Sequence, residues 1–87
     1  MLLTGEVDYV YFDDAAGDQE VAAFTDLGGL GGLRMLVLKQ TRITDATARR
    51  LTRFTRLRYL YLEGTGVSPA VVEQLRQELP GCRIEVR

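Results

Sequence analysis

Apolar residues alternate with polar or aromatic ones over very short stretches, and each such stretch is followed by a run with helical spacing. Leu36 and Leu38, then Leu60 and Leu62, stand two apart, the period of a strand with one buried face. Ala48, Leu51 and Phe54, and then Val71 or Val72, Leu75 and Leu79, stand three or four apart, the period of a helix with one apolar stripe. Asp18, Val21, Phe24 and Leu27 take these places in the first part of the chain. Thr44-Asp45 and Ser68-Pro69 are helix starts, because a hydroxyl can accept from free backbone N–H groups and proline is tolerated in the first turn. Pro80-Gly81 stops the last helix. The pattern predicts strands near 8–12, 34–38, 58–62 and 83–86, and helices near 18–26, 45–54 and 69–79.

The alternation is a repeat. Residues 33–44, from Leu33-Arg34-Met35-Leu36 to Thr44, recur 24 residues later as Leu57-Arg58-Tyr59-Leu60 to Ser68. Ile84 and Val86 fall another 24 residues beyond Leu60 and Leu62, and residues 7–13 match at a spacing of 26. The shared text is L-x-x-L-x-L-x-x-T-x-I/V, with Thr41 and Thr65 at the turn, where their hydroxyls can bond the backbone. The units are approximately 7–32, 33–56 and 57–80, with a terminal strand in 81–87, all in a single domain spanning 1–87.

On these residues the chain resembles a leucine-rich repeat protein, and more narrowly the bacterial type common in planctomycetes, whose units read T-x-V/I-T-D-x-x-x-x-x-L. Thr41-Arg42-Ile43-Thr44-Asp45 with Leu51 follows that text, and so does Thr65-Gly66-Val67-Ser68 with Leu75, except that Pro69 replaces the Asp. Leu79-Pro80-Gly81-Cys82-Arg83-Ile84 is similar to the motif that closes such chains. The resemblance implies an α/β solenoid of about 3.5 repeats, with a parallel β-sheet on the concave side and helices on the convex side. It implies a non-catalytic module that binds other macromolecules.

Strand alternation then sorts the residues by face. Leu36, Leu38, Leu60, Leu62, Ile84 and Val86 point to the core. The alternate residues form three columns on the open face. The first is Tyr9, Met35, Tyr59 and Arg83; the second is Tyr11, Val37, Tyr61 and Glu85; the third is Asp13, Lys39, Glu63 and Arg87. All four tyrosines of the chain lie in the first two columns. Tyrosine suits strands for packing reasons alone, but it also offers a large, rigid contact area with one polar tip. The protein- or peptide-binding residues expected on this face are therefore Tyr9, Tyr11, Met35, Val37, Lys39, Tyr59, Tyr61, Glu63, Arg83 and Glu85.

Composition narrows the chemistry. The 87 residues contain no histidine and one cysteine, Cys82, which removes the commonest general base and any intramolecular disulfide. No nucleophile, base and orienter stand together as catalysis requires, so the chain reads as a non-enzyme without cofactor or metal. Asp13-Asp14 with Asp18 and Glu20 misses the spacing of a calcium loop, and Gly28-Gly29-Leu30-Gly31-Gly32 lacks the Lys-Ser/Thr of a phosphate loop. Cys82 reads as a buried structural thiol.

Charge is segregated. Residues 1–30 hold seven acids and no base, while residues 31–58 hold eight bases and one acid. Neighbouring units of opposite sign should stack, with an acid from residues 6–26 approaching Arg34, Arg49, Arg50 or Arg53. Two alternatives stand beside peptide binding. One is a structural C-terminal segment of a longer leucine-rich repeat protein, its N-terminal end stacked on further repeats or a partner and its last residues closing the other end. The other is nucleic-acid binding by the Arg-rich convex face, which a net charge of −1 disfavours. With no leader and no apolar run of membrane length, the default compartment is the cytoplasm.

Overall fold

The computed structural model describes residues 8–27 and 31–86. The chain runs β1 (Tyr9–Tyr11), α1 (Asp18–Thr25), β2 (Met35–Val37), α2 (Asp45–Arg50), β3 (Tyr59–Tyr61), α3 (Pro69–Glu78) and β4 (Arg83–Glu85), with a 3₁₀ turn at Leu51–Arg53 after α2. The strands form one parallel sheet in chain order, each joined to the next through a helix. Met1-Leu2-Leu3, Gly28-Gly29-Leu30 and Arg87 lie outside the described residues.

The register is the one that the repeat predicts. Tyr9, Met35, Tyr59 and Arg83 are in line, as are Val10, Leu36, Leu60 and Ile84, and Tyr11, Val37, Tyr61 and Glu85. Leu36, Leu60 and Ile84 share one apolar cluster with Val21, Ala48, Val71 and Leu75, so the helices cover one face of the sheet. Burying a leucine of this kind contributes about 1.5–3 kcal/mol. Phe24 links the first two units, its ring 5.2 Å from Phe12 and 5.6 Å from Phe54.

Two expected core positions differ. Val86 corresponds to Leu38 and Leu62, yet it is 39% exposed, just past the end of the edge strand β4. Leu27 lies beyond the end of α1 and is exposed, because the helix stops at Thr25 before its stripe reaches that residue. The second helix is also shorter than its apolar spacing suggests. The Phe54 N–H bonds Leu51 O at 3.1 Å, an i→i−3 contact that tightens the last turn and brings Phe54 into the core.

The turns repeat as closely as the strands. The Thr41 and Thr65 hydroxyls donate to Leu38 O and Leu62 O, both at 2.7 Å, and the backbone N–H of each threonine reaches the same oxygen at 3.2 Å. The residue before each threonine takes the left-handed conformation: Gln40 at φ 62° and Gly64 at φ 73°. Glycine occupies that region freely, whereas glutamine is strained there by about 1–2 kcal/mol.

Side chains then tie unit to unit. Asp18, the first residue of α1, accepts from the Thr44 N–H and hydroxyl, both at 2.7 Å, at the start of α2. Asp45, the first residue of α2, accepts from the Ser68 N–H at 2.7 Å, at the start of α3. The corresponding residue of α3 is Pro69, so the series ends there. At the other end of the helices, Asp26 receives Arg50 at 3.2 Å and Arg53 at 3.1 Å, and Arg53 also donates to Thr25 O. The acidic first unit thus meets the basic second unit as the charge pattern predicts. Each exposed pair is worth only about 0–1 kcal/mol.

These carboxylates make the fold acid-sensitive. Hydrogen bonds from the Thr47 and Thr44 hydroxyls and the Thr44 N–H hold Asp18 below the usual carboxylate range, and the Ser68 N–H does the same for Asp45. A depressed folded value stabilises the fold above the unfolded value, and this is lost as pH falls through the folded one. Thermal melts should therefore show Tm falling below roughly pH 4. The double substitution Asp18→Asn, Asp45→Asn should flatten that dependence; an unchanged profile would remove the two carboxylates from the linkage.

The turns give a second expectation. Gly64→Ala places a Cβ 2.7 Å from the Gln40 carboxamide at a positive φ. Urea unfolding should show a loss of about 1–2 kcal/mol for Gly64→Ala, while Gln40→Gly gains up to about 1 kcal/mol. In the double variant, Gly64→Ala should cost less than it does alone, because Gln40→Gly removes the neighbour it strikes.

Candidate binding face of the sheet

The helix-free face carries the residues that strand alternation assigned to it. Tyr9, Tyr11 and Tyr59 are exposed, Tyr11 by 61%, while Tyr61 and Met35 are half-buried. Val37 is the exception among the expected binding residues, at 6% exposure. It stands in line between Tyr11 and Tyr61 and belongs to no part of the main core, so its small side chain is covered by the larger ones flanking it. At that exposure it offers little surface of its own.

The first column gathers into one open depression of about 630 Å³. Its walls include Tyr9, Met35, Tyr59 and Arg83. Asp8, Arg34, Arg58 and Gly81 complete it at the end where the strands begin. A second depression of about 590 Å³ beneath that end shares Arg34, Arg58 and Gly81, so the two arginines form a ridge between the hollows. The backbone fixes this ridge. Arg34 N–H donates to Asp8 O at 3.0 Å, Arg58 N–H to Arg34 O at 2.7 Å, and Arg83 N–H to Arg58 O at 2.7 Å.

The rim of the face is charged and partly self-paired. Lys39 Nζ lies 3.5 Å from Glu63 and 5.2 Å from the centre of the Tyr61 ring, an ion pair and a cation–π contact together. Arg83 Nε donates to Glu85 Oε2 at 2.8 Å, which raises the already high pKa of Arg83. Asp13 does not continue the charged ladder, because its Oδ1 accepts from Ala15 N–H in its own turn at 3.0 Å. Its other predicted end, Arg87, is outside the described residues.

The remaining candidates disperse. Asp13 serves its turn, Asp18 bonds Thr44, and Glu20 Oε1 accepts from Gly17 N–H at 2.8 Å, so these acids point to separate places. Of the arginines in the helical layer, Arg50 and Arg53 converge on Asp26. Cys82 is half-buried against the core, and burial pushes its thiol up to about 11. No helix among the described residues is long and apolar enough to cross a membrane.

Arg34 and Arg58 were not among the residues that alternation placed on the face. Their signal was nonetheless in the repeat, where a Leu-Arg pair opens both units at the same point, 24 residues apart. A period-2 rule misses them because they precede the strands proper and lie at their starting edge.

No protein-family model matches the chain, and no curated protein matches it.

The raised thiol gives a direct check on the packing of Cys82. At pH 8, iodoacetamide should alkylate Cys82 in the folded chain about a hundred-fold more slowly than in urea, since the thiolate is the reacting form. The rate should rise with pH toward about 11. Equal rates in both conditions would mean an open thiol.

Proposed function

We propose that the chain is a leucine-rich-repeat segment, its sheet the concave side and its helices the convex side of a short solenoid, and that its work is non-catalytic binding of a protein or peptide on the sheet. The repeat reading is supported by the threonine-closed turns at Thr41 and Thr65 and by the unit-to-unit carboxylates Asp18 and Asp45. Those are the contacts that a T-x-I-T-D text would make if each unit stacked on the next.

The observation that carries the binding reading is the exposure of Tyr9, Tyr11 and Tyr59 on the helix-free side of one sheet. Large aromatic side chains held in line by strand register offer contact area with little further loss of freedom on binding. Lys39, Glu63, Arg83 and Glu85 supply a charged border, the usual companion of an aromatic contact patch.

Selection of random peptides on the immobilised chain tests this. Selected peptides should lose about ten-fold or more in affinity against the triple substitution Tyr9→Ser, Tyr11→Ser, Tyr59→Ser, with circular dichroism unchanged. Peptides that bind the variant as well as the parent chain would place binding elsewhere and overturn the proposal.

A further inference from the structure

Among the described residues, the basic side chains divide into those with partners and those without. Lys39, Arg50, Arg53 and Arg83 each lie within ion-pair distance of a carboxylate, and Arg42 and Arg76 donate to the carbonyls of Ala15 and Ile84. Arg34, Arg49, Arg56 and Arg58 make neither kind of contact there; of these, Arg34 and Arg58 line the first-column depression. They stand just before neighbouring strands, tied together by the bond from Arg58 N–H to Arg34 O. Two like charges held close together repel each other. An anion between them would reverse the sign of that term.

We infer that this depression is a carboxylate-recognition site for an acidic peptide. Arg34 and Arg58 take the acidic side chains, and Tyr9, Met35 and Tyr59 take an apolar side chain beside them. The inference rests on the reading of the sheet face as a peptide-binding surface and names the class of peptide. Charge complementarity commits the occupant: Arg34 and Arg58 line the depression together with Arg83, which Glu85 already holds, against Asp8 as the one acid in its lining. Guanidinium groups pair carboxylates with two parallel N–H···O bonds, stronger and more directional than neutral contacts. The hollow, at about 630 Å³, is large enough for more than one side chain, and Met35 gives it an apolar floor that an isolated ion would not use. A nucleic-acid backbone fits less well, since Asp8, Glu63 and Glu85 interrupt the positive surface along the same face.

The test uses the full 87-residue chain labelled with ¹⁵N and an eight-residue capped peptide, Gly-Glu-Glu-Leu-Glu-Glu-Tyr-Gly, beside its all-Gln counterpart. The Glu peptide should give saturable NMR shifts at Arg34, Arg58 and Tyr59, with the Gln peptide about ten-fold weaker or worse. The double substitution Arg34→Gln, Arg58→Gln should abolish the difference between the two peptides, and Arg→Lys at both positions should restore part of it. Should the Gln double variant fail to fold, the Glu-against-Gln comparison on the unaltered chain decides the matter. Equal affinity for the two peptides overturns the inference, as does shift mapping to Arg49, Arg50 and Arg53. Tighter binding of a single-stranded oligonucleotide, or a dimer in sedimentation that the double variant loses, would give the site to another occupant and also overturn it. Peptides that depend on Tyr9, Tyr11 and Tyr59 but carry no acid would sink this inference alone, leaving the sheet-face reading in place.

Discussion

Each three-residue strand has its ladder partners only on the neighbouring units, and each helix shares its apolar stripe with a strand core that no single unit completes. The contacts between consecutive units therefore hold the molecule together. Backbone ladder bonds do this at the sheet, Phe24 does it in the core through Phe12 and Phe54, and Asp18 and Asp45 do it at the helix starts. None of these is large alone. Because they act in parallel on the same step, they fix the register, and the register places Tyr9, Met35, Tyr59 and Arg83 in one line.

The parts of the architecture that depend on periodicity were readable from the residues. Strand alternation needs only the identity of Leu36, Leu38, Leu60 and Leu62, and the helix starts need only a hydroxyl residue before Asp45 or Pro69. What periodicity misses is the effect of neighbours. Val37 has the parity of an exposed residue, yet the two tyrosines in line with it cover it. Val86 has the parity of a buried one, yet it is exposed beside the edge strand. Arg34 and Arg58 belong to the face through their position at the edge of the strands, which no alternation rule reaches.

The charges of the chain serve two different ends. In the helical layer, acid and base meet across the first two units, and Asp26 with Arg50 and Arg53 is local neutralisation of a kind that surface pairs provide weakly and in numbers. At the beginning of the strands, Arg34 and Arg58 are held side by side by the backbone with no carboxylate of the described residues within ion-pair distance. The net charge of −1 conceals this contrast. A basic residue whose partner comes from the neighbouring unit contributes to cohesion, as Arg50 and Arg53 do.

The carboxylate series at the helix starts has a direction. The acid of one unit reaches forward to the N–H of the residue just before the next helix, from Asp18 to Thr44 and from Asp45 to Ser68, and Pro69 has no carboxylate to offer in turn. A duplication of the Asp45 unit, inserted between the first and second units, would find an acid behind it and a hydroxyl residue ahead. The same unit grafted beyond α3 would meet proline and begin its helix without that anchor. Lengthening of this chain, by genetic duplication or by design, is thus favoured from within.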